Sequence, residues 1–356
     1  MDKFQAKIDF DFRTNQLILK SISYIDSFNG KWNTLENQGN IYLRELRKIA
    51  TIESVGSSTR IEGTKMTDIE VKGLLEKLKI TKLQTRDQQE VVGYFDTLEL
   101  IYENYPDILL TKNYIFQLHQ KLLKYSHKDQ RHRGRYKSLP NKVAANYPDG
   151  TQKVIFNNTE PFLVDSEMTE LIQWTNKQFN SKELHPLVII GLFIYEFLSI
   201  HPFQDGNGRL SRLLTNLLLL RFDYQFIQYV SFENLIENKK KAYYEALANG
   251  QKNRNSKKER IDKWLLFFLT SLQTLISSLE QKYDVFKKSG GYLNDRQKLI
   301  KEFIARNQPI KLGDLAKQMT EISINTLKKD LHYLKNEQII DSIGKNKGTV
   351  YILRKK

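Results

Sequence analysis

Apolar residues recur along most of this chain at spacings of three and four, which is the mark of helices with one buried face. Two segments depart from that amphipathic pattern. Residues 187–200 read LVIIGLFIYEFLSI, and the run from Gly208 onward continues RLSRLLTNLLLLRF. A helix that is apolar nearly all round lies in a core, and each of these is too short to cross a membrane. Between them falls a polar stretch rich in glycine. The pattern therefore predicts two buried helices joined by a polar loop, a rigid mount for a site. A further long periodic helix, WLLFFLTSLQTLISSLEQKYDVF, closes this region.

Turn signals set the remaining organisation. Asp149-Gly150, flanked by Val143 and Val154–Phe156, predicts a β-hairpin. The Ser-Gly-Gly of KKSGGYLND (287–295) reads as a linker. Beyond it, Asn294–Arg306 reads as a helix with Asn294 as N-cap, and Lys311–Met319 as a second, short helix. Ser323–Asn336 reads as a third, capped by Ser323, with Ile324, Leu327, Leu331 and Leu334 as its apolar stripe. IIDSIGKNKGTVYIL then reads strand, basic turn, strand. The expected layout is a helical region over 1–105, a core over 106–280, a linker over 281–292 and a small domain over 293–356. The fold class is mostly α.

Composition narrows the classes. The chain has 356 residues, 40% of them hydrophobic, and no cysteine. That leaves no disulfide framework and no thiolate metal site. The start, MDKFQAKIDF, lacks an apolar signal region, so a cytoplasmic protein without membrane contact is expected. Net charge is +15. Residues 293–356 carry fourteen Lys/Arg against seven Asp/Glu, so attraction to polyanions is concentrated there.

The loop between the two core helices holds the chemistry. Residues 201–212 read HPFQDGNGRLSR. The His201 imidazole can serve as a general base near neutral pH. Asp205 is a hard oxygen ligand suited to a Mg²⁺ that also holds phosphate oxygens. Gly206 and Gly208 let backbone approach a ligand closely, and the Asn207 amide can donate to an oxyanion. The helix that follows favours an anion at its N-terminus. Arg209 and Arg212, three apart, can face the same phosphates. Together they describe a site for nucleotide phosphate chemistry.

This dodecamer resembles the active-site motif of Fic-domain proteins, HPFx[D/E]GN[G/K]RxxR, at every fixed position, and residues 185–200 resemble the helix that precedes it. The resemblance implies a Fic-type helical bundle and transfer of AMP from ATP to a Ser, Thr or Tyr hydroxyl of a protein. It implies that His201 is the base and that Asp205 holds Mg²⁺. Gly206, Asn207 and Gly208 would form the anion cradle, and Arg209 and Arg212 would neutralise the outer phosphates. Leu210 and Ser211 belong to the same ATP-binding segment, and Phe203 would pin the loop from the core.

A second motif lies far upstream. SSTRIEG (57–63) resembles the family's inhibitory pattern [S/T]xxxE[G/N] at Ser58, Glu62 and Gly63. Ser58 and Glu62 lie four apart, on one helix face, and Gly63 reads as a C-terminal stop. The resemblance implies that Glu62 pairs with Arg212 and blocks productive ATP binding. It also implies a flap over 143–156 that holds a target peptide by strand addition. ENKKKAYYEAL (237–247) resembles the adenosine-side helix, with Asn238, Tyr243 and Tyr244 as candidate contacts. The last segment resembles the winged-helix domain appended to such proteins. If that domain bound DNA, Thr326, Lys328, Lys329 and Lys335 would flank the groove and Lys345 and Lys347 the wing. Another nucleotide donor, deAMPylation, and a DNA-binding regulator with a sensory Fic domain stay open as alternatives. Self-modification and a homodimer stay open as well.

Overall fold

The computed structural model describes residues 2–36, 41–78, 82–146, 152–288, 293, 295–336, 339–344 and 348–354. The chain forms two compact units, Met1–Leu279 and Glu280–Lys356.

In the first unit, α1 (Lys3–Lys7), α2 (Phe12–Glu36), α3 (Ile41–Ile61) and α4 (Asp68–Glu76) precede α5 (Arg86–Asn104) and α6 (Lys112–Leu122). A hairpin of β1 (Lys142–Asn146) and β2 (Gln152–Asn157) follows. Then come α7 (Pro161–Ser181), α8 (Pro186–Ile200), α9 (Asn207–Arg221), a 3₁₀ turn (Gln225–Tyr229), α10 (Phe232–Asn238), α11 (Lys240–Gln251) and α12 (Asp262–Lys288).

The two strongly apolar segments are the buried helices that the pattern predicts. Every residue of α8 from Leu187 to Ile200 is buried. Pro186 opens that helix, where its missing N–H costs nothing, and His185 Nδ1 accepts the Leu187 N–H at 3.3 Å. Helix α9 is buried on almost every side, polar positions included. Those polar groups need internal partners. Asn216, for example, donates to Glu233 at 2.9 Å, and Tyr94 donates to the same carboxylate at 2.8 Å. Helices α3, α5, α6 and α8 pack around α9.

Strands β1 and β2 pair antiparallel, with Val143 opposite Phe156, Asn146 opposite Gln152, and a bulge between Val143 and Ala144. The Asp149-Gly150 turn lies outside the described residues.

The second unit holds α13 (Asp295–Asn307), β3 (Ile310–Lys311), α14 (Leu312–Gln318), α15 (Ile324–Asn336), β4 (Ile340–Ile343) and β5 (Val350–Leu353). Its sheet is antiparallel with β5 central, in the order β3-β5-β4. Ile300, Ile304, Leu315, Leu327, Leu331, Leu334 and Ile340 form its core. Ile324 departs from the expected stripe. It is 48% exposed, because it is the first helical residue and sits a full turn from the packed Leu327–Leu334 face. Ser323 Oγ accepts the Thr326 N–H at 3.2 Å, as an N-cap does. The expected N-cap Asn294 lies outside the described residues.

The boundary between the units falls inside α12, which runs on to Lys288 through most of the stretch read as linker. No glycine or proline interrupts residues 262–289.

Candidate active site

Residues 201–206 connect α8 to α9. His201 caps α8 in the left-handed region, φ +53°, and its N–H still bonds to Phe197 O at 2.9 Å. A non-glycine residue held there is a mark of a constrained loop. Phe203, fully buried, fixes the loop from below. Its ring stacks on His119 of α6, with centroids 3.8 Å apart and planes 19° apart.

Asn207 completes the loop, but not as the sequence suggested. Its Oδ1 accepts the Phe203 N–H at 2.8 Å and its Nδ2 donates to Phe203 O at 2.7 Å. The amide is therefore committed to the loop backbone and not aimed at an oxyanion. A buried peptide group must be satisfied, and Asn207 is the side chain within reach. The anion-binding capacity rests on α9 itself. Its N-cap is Gly206 at φ +83°, without a capping side chain, so the first-turn N–H groups and the helix dipole face outward.

The two arginines diverge. Arg209 is 1% exposed; its Nη2 donates to Asp205 Oδ1 at 3.0 Å, and its Nη1 lies 3.4 Å from Glu90 Oε2. Its Nε and Nη1 have no hydrogen-bond partner among the described residues. Arg212, 2% exposed, turns to α3. Its Nε donates to Ser58 Oγ at 2.9 Å, and its Nη2 to Ser58 O at 2.9 Å and Glu62 Oε1 at 2.8 Å.

Local geometry explains why Glu62 is placed so. Helix α3 ends at Ile61, and Gly63 follows at φ +111°. The Gly63 N–H bonds to Arg60 O at 3.0 Å and the Thr64 N–H to Thr59 O at 3.2 Å, the bond pair of a Schellman stop. Glu62 is thus held at the C-cap. Its Oε1 lies 2.2 Å from where a Cβ on Gly208 would be, so the carboxylate rests on the first turn of α9. The Arg60 guanidinium ties the same turn down, reaching Glu237 Oε1 at 2.8 Å, Glu237 Oε2 at 3.0 Å and Asp68 Oδ1 at 2.8 Å. Lys240 donates to Ile61 O at 3.1 Å.

Electrostatics suit the residue types. Burial, aided by the Lys137 ammonium, pushes His201 down to about 4, so its imidazole is neutral at pH 7. Its Nδ1 is buried without a hydrogen-bond partner among the described residues. Although burial alone would raise it, the Asp205 carboxyl is held below its usual value, with Arg209 the main cause. Asp205 is 28% exposed at its side chain. Its Oδ1 accepts from Gly206 N–H and Arg209, while Oδ2 lies 3.6 Å from Lys128 Nζ. No cluster of three or more His, Asp or Glu suited to a metal occurs among the described residues. One part-exposed carboxylate fits a Mg²⁺ that arrives with nucleotide phosphates and takes its other oxygens from them and from water.

The remaining predicted positions are less central. Asn238, at the end of α10, is exposed and donates to Asn234 at 2.9 Å. Tyr243 of α11 is buried against Trp264 and Phe267, and Tyr244 is half-buried with its ring edge-on to Tyr243. Leu210 packs in the core, and Ser211 donates to Gly208 O at 2.8 Å.

Three residues escaped the sequence reading: His119, Lys137 and Glu90. His119 had a legible signal, since it shares the buried stripe of Ile115, Leu118 and Leu122 on α6. Its Nδ1 accepts the Gly134 N–H at 2.9 Å, so its Nε2–H donates to Asp205 O at 3.0 Å. Burial holds it down to about 4.

Residues 109–219 match the Fic/DOC family. The protein adenylyltransferase Fic of Drosophila willistoni is 30% identical over 190 residues, covering 53% of this chain and 36% of that protein. That of Drosophila melanogaster is 29% identical over 204 residues, 56% of this chain and 39% of that protein. The chain thus spans little more than a third of the length of these curated relatives. Among solved structures, a Fic family protein from Desulfovibrio desulfuricans superposes with a TM-score of 0.66 at 21% identity, covering 96% of each chain. Fic-1 from C. elegans superposes with a TM-score of 0.60 at 18% identity, over 77% of this chain and 74% of that one.

Proposed function

For this chain, a Fic-domain protein through residues 109–219, we propose the activity of a protein adenylyltransferase held in an inhibited state. Two observations support the reading of the reaction. The curated relatives are named for that activity. The loop also brings a neutral imidazole to the uncapped N-terminus of α9, with two buried guanidinium groups on that helix.

His201 takes the proton from a Ser, Thr or Tyr hydroxyl of the target as its oxygen attacks the α-phosphorus of ATP. Pyrophosphate leaves in line, and the target carries AMP. Such transfer depends on positioning and charge neutralisation more than on covalent help. The first turn of α9 and Arg209 receive phosphate oxygens. Asp205 would hold Mg²⁺, which would offset phosphate charge. The flap of β1 and β2 would hold the target backbone by strand addition.

The observation that carries the inhibited state is the Glu62 carboxylate resting over Gly208 and bonded to Arg212 at 2.8 Å. An anion site already filled by a carboxylate cannot take a phosphate in the same place. Ser58 holds the same guanidinium from the preceding turn.

ATP labelled on the α- or on the γ-phosphate tests the reaction, using the chain with Glu62→Gly. Protein-bound label from the α-position alone is expected, and none with Glu62→Gly/His201→Ala. Label from the γ-position would mean phosphate transfer and would overturn the reading.

A second role rests on residues 295–354, which we read as a winged helix that binds DNA. Its support is the exposed face of α15, with Asn325, Lys328, Lys329, His332 and Lys335. The one acid of that helix, Asp330, is buried and paired with Arg296 at 2.5 Å. The Thr326 hydroxyl instead sits 2.8 Å from Ser323 Oγ, within the cap, and Lys345 and Lys347 lie outside the described residues. Salt-sensitive gel shifts with the full chain test this role. No helix among the described residues is long and apolar enough to cross a membrane.

A further inference from the structure

Lys137 is 3% exposed, and it lies against the loop that carries the base. Its Nζ donates to Asn141 Oδ1 at 2.8 Å and to Asn158 Oδ1 at 2.9 Å, with Ile200 O at 3.5 Å. Its backbone N–H donates to Pro202 O at 2.8 Å. The two ends of this one residue therefore bracket His201 in the chain, at 200 and at 202.

The two asparagines are the feet of the hairpin. Asn141 immediately precedes β1 and Asn158 immediately follows β2. Asn158 Nδ2 donates to Asn141 Oδ1 at 2.8 Å, closing the feet on each other. Asn141 Nδ2 donates to Phe203 O at 2.9 Å. That same carbonyl accepts the Asn207 amide. Flap feet, Lys137 and catalytic loop thus form one continuous hydrogen-bonded unit.

We propose that Lys137 is a positioning residue that draws both feet of the β1–β2 hairpin onto the loop bearing His201 and so sets the register of a bound target strand against the base. The proposal rests on the adenylyltransferase reading above. An ammonium suits the place, because it offers three donors to three converging acceptors. All three acceptors are neutral oxygens, so the charge is buried without a carboxylate bonded to it. Burial accordingly pushes Lys137 down to about 8, and Glu160 and Glu167 offset this only in part.

Register is where such a clamp matters. A base must come within about 3 Å of the oxygen whose proton it removes. A one-residue slip of a paired strand turns each side chain to the opposite face. A flap loosened at its feet would still bind peptide and ATP, but would present the hydroxyl poorly.

A second consequence is electrostatic. Around His201, Lys137 opposes protonation, while Glu62 and Asp205 favour it. Removing the Lys137 charge leaves burial alone to oppose the two carboxylates, so the His201 titration should move upward.

The test compares Lys137→Met and Asn158→Ala, each in the full chain with Glu62→Gly. Transfer from α-labelled ATP should show kcat lowered at least tenfold, within the roughly 10²-fold that a 1 Å misplacement costs. KM for ATP should change less than about twofold. In the chain with Glu62 intact, an NMR titration should place the His201 midpoint higher in Lys137→Met than in wild type. Asn158→Ala should leave that midpoint in place while still lowering kcat. Unchanged kcat in both variants overturns the proposal, as does a loss seen only in KM for ATP. Should Lys137→Met fail to fold, Asn158→Ala alone decides through the kcat and KM split. If the Glu62→Gly parent itself transfers no label, the reading of function fails. The NMR arm, which needs no transfer, then decides the Lys137 contact.

Discussion

Replacing Gly63 by alanine probes the turn that holds Glu62 without touching Arg212 or the proposed nucleotide site. Gly63 has φ +111°, and nothing lies within 4 Å of the Cβ that alanine would add. The cost is therefore backbone strain alone, about 1–3 kcal/mol for a non-glycine residue in such a region. The chain can bear that strain in place, or relieve it by returning to negative φ. Relief breaks the Gly63–Arg60 and Thr64–Thr59 bonds of the stop, and Glu62 then swings from Arg212. A strain of 1–2 kcal/mol shifts this local equilibrium by about 5–30-fold. Incorporation of α-labelled AMP should rise by up to that factor. Thermal unfolding should fall by only a few degrees, as about 1–2 kcal/mol implies for a domain of this size. Gly63→Asn should show a smaller rise, since asparagine tolerates left-handed backbone. Lower melting with labelling unchanged would refute the argument that the stop governs Glu62.

Other outcomes follow from the same geometry. Gly208→Ala should dislodge Glu62, whose Oε1 is 2.2 Å from the new Cβ, yet gain no ATP affinity by calorimetry, because the methyl group would fill the position proposed for phosphate. Gly93→Ala places a Cβ 2.1 Å from Leu122 O; forcing α5 from α6 should cost about 1–3 kcal/mol in denaturant unfolding, with loss of transfer through the displaced His119. His119 and His201 are both held neutral to about 4, below the unfolded value near 6.5. The unfolded chain then binds more protons, so stability should fall as pH drops from about 6.5 toward 4. A melting temperature flat across that window would contradict their burial. Arg296→Met strips the buried Asp330 of its cation and should lower the melting of the second unit, followed by residue-resolved hydrogen exchange.

The sequence was most informative where a local pattern determines structure. Long, strongly apolar runs read as buried helices, so α8 and α9 were legible with their loop. The pairing of Glu62 with Arg212 was legible only through the resemblance, because no local rule joins residues 150 positions apart. What escaped were the partners of buried polar groups. The side-chain type of Asn207 suggests an oxyanion donor, but the Phe203 peptide group claims it first. His119 and Lys137 look like a scattered histidine and a surface lysine until α6 and the hairpin bring them under the loop. The exposed Ile324 and the continuation of α12 to Lys288 show the same limit at element ends, where packing decides and periodicity does not.

The most direct test sets wild type beside Glu62→Gly in one assay, with ATP affinity and α-label incorporation read together. Little incorporation is expected from wild type and a large increase from Glu62→Gly, accompanied by tighter or better ordered ATP binding as Arg212 becomes available. Equal incorporation by the two chains would contradict this expectation, and would mean that the Glu62–Arg212 pair is a structural contact with no hold on the reaction.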